Sequence, residues 1–121
     1  MTDTIEVLHG VRALLCGPDG PVIRTEADAL DLMGQVYWDE VELMVLPVPR
    51  LTPEFFDLGT GVAGALTQKL LNYGFRVAVL GDIAHHTDAS PALAAYVRES
   101  NRGRQLWFVP DRAALDTRLA A

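Results

Sequence analysis

Chemistry in this chain concentrates in the segment PEFFDLGTGVAGAL, residues 53–66, where two phenylalanines, a carboxylate and a hydroxyl precede an apolar helical stretch. Thr60 is the expected N-cap of that helix: its hydroxyl would accept from a backbone N–H two or three residues on, worth about 1 kcal/mol. A second use is open to the same atoms. The start of a helix offers free N–H groups and a positive dipole end to an anion. Gly59, Gly61 and Gly64 would let a phosphate, a ligand or another backbone come close. Phosphorylation of Thr60 would add about two negative charges and three acceptor oxygens, enough to reverse the fit of a docked acidic surface. Of Phe55 and Phe56, at least one belongs to the core; the other, if exposed, is an interface anchor of the aromatic kind that dominates binding energy.

A second cluster lies in GDIAHHTDAS, residues 81–90. Adjacent histidines in an extended segment point to opposite sides, so His85 and His86 do not read as a metal pair, and Asp82 and Asp88 complete no recognised ligand spacing. General acid/base work would need a positioned partner and a substrate pocket. Gly81, Asp82 and the loop after them offer a place for a nucleotide, yet neither GxGxxG nor GxxxxGK[ST] lies in that segment. In ESNRG, residues 99–103, Asn101 and Gly103 read as a helix stop, which leaves Arg102 and Arg104 as surface charges. Cys16 stands alone at a strand end before a turn, where a small buried apolar role is expected.

Composition narrows the function classes. A chain of 121 residues with 50% hydrophobic and 21% charged residues reads as one soluble globular domain, large enough to bury a core without metals or disulfides. The net charge of -6 argues against general nucleic-acid binding, which needs a Lys/Arg surface to displace counterions. One cysteine permits no internal disulfide and no zinc spacing, so the cytoplasm is the expected compartment. The first residues, MTDTIE, lack a basic segment followed by an apolar one, and no signal peptide is expected. No apolar run approaches the length of a membrane span.

The elements that must position these residues follow from apolar spacing and punctuation. Ile5 to Cys16 reads as a first strand, and Pro18, Asp19 and Gly20 as a tight turn into a short second strand at Val22 to Arg24. Thr25, with Asp28 three residues on, caps a helix whose Ala29, Leu32, Met33, Val36 and Tyr37 face the core. Glu42 to Val48 is a buried strand ended by its prolines. A helix from Thr60 to about Tyr73 closes on Gly74. FRVAVLG, residues 75–81, is the clearest central strand. Ser90 and Pro91 open another helix, with Leu93, Tyr96 and Val97 inward and Gly103 at its end. RQLWFVP is the last strand, and Asp111 begins a terminal helix carrying Leu115 and Leu119. The order β-β-α-β-α-β-α-β-α implies an α/β domain: a mostly parallel mixed sheet of about five strands with an N-terminal hairpin and about four helices. Ligands of such sheets gather beyond the carboxyl ends of the strands, which selects the loops Pro47 to Thr60, Gly81 to Ser90, and Pro110 to Asp111.

The stretch PEFFDLGTGVAGALTQKLLNYGFRVAVLGD, followed by YVRESNRGRQLWFV, resembles a bacterial family defined only as a domain of unknown function, numbered 4180. That likeness is clearest from Ala27 to Ala114 and implies no activity. More distantly, the element order and the position of DLGTG between a strand and its helix look like the STAS domain of anti-sigma factor antagonists and sulfate transporters. In that family an Asp-Ser-Ser/Thr-Gly segment opens a helix, and the hydroxyl beside the glycine is phosphorylated by a partner kinase. The resemblance implies Asp57 as the acidic residue, Thr60 as the phosphoacceptor and Gly61 as the glycine. Leu58 and Gly59 intervene between Asp57 and Thr60, so this loop is one residue longer than the STAS pattern.

Three functions follow as expectations. The first is a non-catalytic regulatory or protein-interaction domain, docking a regulator or kinase through Asp57 to Leu66 with Thr60 as the switch. A domain that binds a small anion or nucleotide at the same helix start is the second. The third, ranked last, is an enzyme drawing on Asp57, Thr60, Asp82 and His85 or His86. No cofactor, nucleic acid or membrane is called for. Short helices over one sheet can leave an apolar patch on a chain this size, which keeps a homodimer open.

Overall fold

The computed structural model describes residues 3–121. Its five strands are β1 (Thr4–Leu8), β2 (Val11–Leu15), β3 (Leu43–Pro47), β4 (Arg76–Leu80) and β5 (Leu106–Val109). They form one sheet in the order β1-β2-β3-β4-β5, antiparallel between β1 and β2 and parallel thereafter. Five helices accompany it: α1 (Glu26–Gln35), α2 (Val62–Asn72), α3 (Ala84–Ala89), α4 (Pro91–Arg102) and α5 (Arg112–Ala120). The mixed α/β architecture with its antiparallel N-terminal hairpin is the one expected.

Each parallel strand is added on the same side of the last, so right-handed crossovers put the connecting helices on one face. On that face Leu14, Met44, Leu46, Val77, Val79 and Phe108 of the strands meet α1, α2 and α4. The alternate residues, among them Ala13, Leu43, Val45, Ala78 and Trp107, turn to the other face and pack on Leu115 of α5. Met44, Val45 and Leu46 in succession are at most 1% exposed, because β3 is covered on both sides.

The hairpin falls elsewhere than Pro18–Gly20. All but Thr4 of its two strands falls within the expected first strand, and the turn is His9-Gly10, with φ of 51° and 81°. Two successive positive φ values define the two-residue turn whose twist matches that of the flanking strands. Val22 to Arg24 is then loop, not strand: Ile23 is buried and Val22 is exposed.

Capping follows the sequence closely. Thr25 and Asp28 form a complete capping box, and their bonds, the backbone Thr25 N–H foremost, hold the Asp28 carboxyl below its usual pKa. Ser90 accepts from the Leu93 N–H ahead of Pro91, and Asp111 accepts from the Ala114 N–H. Tyr37 is a correction. Helix α1 ends at Gln35, so Tyr37 leaves the helical stripe and is 73% exposed, edge-on to the exposed Trp38 at a centroid distance of 4.6 Å. Residues 84–89, expected as loop, form α3. No helix is long and apolar enough to cross a membrane among the described residues.

Candidate functional site

The segment after β3 is a chain of three short 3-10 turns, Val48–Arg50, Pro53–Phe56 and Leu58–Thr60, before α2 begins. Pro49 and Pro53 fix φ at the starts of the first two, and Pro47 and Pro49, without N–H groups, end the β3 ladder. Phe55 and Phe56 are 1% and 6% exposed and pack edge to face at 5.1 Å, so neither is the exposed anchor. Hydrophobic burial of both rings instead forms the floor on which the next five residues stand.

Asp57, Gly59, Thr60 and Gly61 are all exposed above that floor. Asp57 caps the third turn, its Oδ1 accepting from the Gly59 N–H at 3.1 Å. Thr60 is not the N-cap of α2; that position is Gly61, at φ 77°. Leu58, Gly59 and Thr60 are wound into a 3-10 turn, which places Thr60 one residue before the N-cap, and the left-handed Gly61 leads the chain into the helix. The Thr60 hydroxyl lies 2.7 Å from the Glu54 carbonyl and 2.8 Å from that of Asp57, either of which accepts its proton, and it accepts from the Val62 N–H at 3.3 Å. This side chain ties together two 3-10 turns and the start of α2.

The β4–α4 connection meets this ridge through one contact. His86 stacks on Phe56 with centroids 4.3 Å apart and planes 11° from parallel, and the His85 ring lies 3.9 Å from that of His86. Burial first, then the neighbouring His85, pushes the His86 pKa below its ordinary value. His85 and Asp82 are exposed, and Asp82 accepts from the Ala84 N–H at 2.9 Å to start α3. Gly81 is fixed by space as well as conformation: a Cβ there would lie 2.7 Å from a Val48 methyl, where the two loops cross. The third expected loop joins through the Gly81 N–H, which donates to the Val109 carbonyl at 2.9 Å, and a cleft of about 240 Å³ runs from Asp82 to Pro110. Among the described residues, no group of three or more His, Cys, Asp or Glu is placed to hold a metal ion.

One participant at this end of the sheet escaped the sequence reading. Arg50 is 3% exposed; its Nη1 donates to Asp3 Oδ1 at 2.7 Å and to the Gly17 carbonyl at 3.2 Å, while Nε donates to the Pro21 carbonyl at 2.8 Å. This clamp holds the Cys16–Arg24 loop against the β3–α2 segment and borders a cavity of about 470 Å³ rimmed by Asp19, Asp28 and Asp31. Cys16 is buried beside it as expected, its thiol pushed up to about 12 by burial and by Asp3 against the opposing pull of Arg50. The available signal was Arg50 itself, a charge directly after an apolar run and two prolines.

Comparison with known proteins gives one relationship. No curated protein and no solved structure matches the chain. The model of the domain of unknown function DUF4180 matches residues 8–119, and the chain belongs to that family.

Proposed function

We propose that this chain is a non-catalytic regulatory or protein-interaction domain whose docking surface is the ridge Asp57–Gly61, with Thr60 as a phosphorylatable switch. The observation that carries the proposal is the state of the Thr60 hydroxyl, exposed to solvent yet serving as the fastener between the Pro53–Phe56 turn, the Leu58–Thr60 turn and the Val62 N–H. A ridge already ordered by its own hydrogen bonds and seated on two buried rings loses little entropy when a partner docks.

Modification at this oxygen would change both charge and shape. A kinase partner would transfer a phosphoryl group from a nucleoside triphosphate: the Oγ1–P bond forms, the terminal P–O bond of the donor breaks, and the hydroxyl proton leaves. Thr60 then has no proton to donate to the Glu54 and Asp57 carbonyls. The new phosphate oxygens, about two negative charges in all, would face those carbonyls and the Asp57 carboxylate. The ridge would be unfastened and made more acidic together.

The test uses wild type, Thr60→Val and Thr60→Glu as baits in cells of the source, read by mass spectrometry that includes the baits' own phosphopeptides. A partner retained by wild type and Thr60→Val but lost by Thr60→Glu, or phosphate on Thr60, supports the switch. Unmodified baits with identical captures sink it.

A further inference from the structure

At the opposite, amino end of the parallel strands, we infer that a pocket walled by Arg76, Arg102, Arg104 and Arg118 over the ring of Trp107 binds the polyphosphate group of a small molecule. The chain has 10 Lys and Arg against 16 Asp and Glu, yet four of those ten cations line this one cavity of about 480 Å³. No Asp or Glu lines it among the described residues. Only Arg102 has a carboxylate partner, the exposed Glu99 at 3.2 Å. Arg76, Arg104 and Arg118 have none among the described residues, in a protein where acidic side chains are in excess.

The cluster is built rather than scattered. Three carbonyls at the end of α4 and in the turn to β5 each receive one donor: Asn101 from Arg118, Gly103 from the Trp107 indole at 2.8 Å, and Arg104 from Arg76 Nε at 3.0 Å. Arg76 and Arg118 lie over the Trp107 ring, 4.8 and 4.7 Å from its centroid, where the π-face attracts a cation. These contacts fix two guanidinium groups while using one bonded nitrogen of each and supplying no negative charge. Arg104 is exposed, and its guanidinium makes no side-chain hydrogen bond among the described residues.

Guanidinium is the side chain whose forked donors match phosphate oxygens in pairs. Three unneutralised guanidinium groups in one pocket call for a ligand carrying more than one negative charge. The volume suits a small molecule, falling within the roughly 300–1,000 Å³ usual for such sites. A chain with net charge -6 and one compact basic cluster gives a short polyphosphate a better match than a nucleic-acid backbone, which needs an extended track of cations.

Trp107 supplies the readout, because an anion held by the guanidinium groups stacked on its ring changes the charge felt by the indole. In a Trp38→Phe background, Trp107 fluorescence is titrated with inorganic pyrophosphate and adenosine triphosphate at constant ionic strength. Inorganic phosphate and chloride serve as comparisons. The expected result is a saturable change with the two polyphosphates at submillimolar concentration, weakened at least tenfold in R104Q and in R118Q. Since Arg104 is exposed, R104Q keeps the fold, which a thermal melt verifies. A response that does not saturate, that is equal for all anions, or that survives R104Q overturns the inference.

Discussion

Gly20→Ala is expected to unfold the protein more easily through a single steric contact. A Cβ at residue 20 would lie 2.3 Å from the Arg50 Cζ, 2.6 Å from Nη1 and 2.7 Å from Nη2. Ordinary contact begins near 3.4 Å, so the guanidinium must retreat by about 1 Å, while its bonds to Asp3, Gly17 and Pro21 have almost no slack at 2.7, 3.2 and 2.8 Å. Retreat breaks a pair whose side chains are 3% and 4% exposed. Breaking a buried ion pair costs about 3–5 kcal/mol. The adjoining cavity gives the guanidinium somewhere to swing and rehydrate, which places the expected loss at the lower end, about 3 kcal/mol. Urea unfolding measures it, with Gly34→Ala as the control: a Cβ there meets nothing within 4 Å inside α1, so that variant should gain roughly 0.8 kcal/mol of helix propensity. In an Arg50→Met background the clashing atoms are gone, and Gly20→Ala should cost less than about 0.5 kcal/mol, the usual additivity error. A Gly20→Ala variant as stable as wild type, or one equally costly in both backgrounds, would refute the clamp.

Three further outcomes test other parts of the structure. His86 should titrate below 6.5 in a ring-proton NMR titration, its depressed value following from burial and from His85; because the unfolded chain then binds the proton more readily, stability falls as pH drops below about 6.5, and Phe56→Ala should return the titration towards the ordinary range. Gly61→Ala, at φ 77° with open space around the Cβ, should lose about 1 kcal/mol from left-handed backbone alone, and Gly61→Asn less, as read by thermal melts. Asn101 both donates to the Phe108 carbonyl at 3.2 Å and accepts from its N–H at 2.7 Å, sealing outermost strand β5, so Asn101→Ala should cost about 1–3 kcal/mol and raise hydrogen exchange at Phe108.

What the sequence disclosed tracks the range of the forces involved. Caps at Thr25, Ser90 and Asp111 are bonds across three residues, and each was legible. Buried strands were legible too, since LMVL and FRVAVL have no other use in a chain this size. The hairpin was misplaced because Pro18-Asp19-Gly20 is the stronger local turn signal; the real turn, His9-Gly10, requires a non-glycine residue at φ 51°, held there by the pairing of Leu8 with Val11. Thr60 lost its cap position to a 3-10 turn that no periodicity marks. The Arg50–Asp3 bond spans 47 residues and the Phe56–His86 stack joins two loops, so neither has a local signature. Arg76, Arg104 and Arg118 converge only because β4, the turn before β5 and α5 are neighbours; along the chain they are isolated surface charges.

The two proposed sites lie at opposite ends of strands five residues or fewer in length, about 16 Å of extended chain. Their charges differ in kind: Asp57 and Asp82 stand at the carboxyl end, the four arginines at the amino end. Screening over about 8 Å at physiological ionic strength leaves little direct coupling across that span. Thr60→Glu should therefore leave the pyrophosphate affinity of the arginine pocket within twofold of wild type. A change of tenfold or more could not come through solvent and would require the sheet itself to transmit it, by way of β4, which begins at Arg76 and ends in the loop that crosses Val48. Measuring that affinity in Thr60→Glu separates two independent sites from one coupled device.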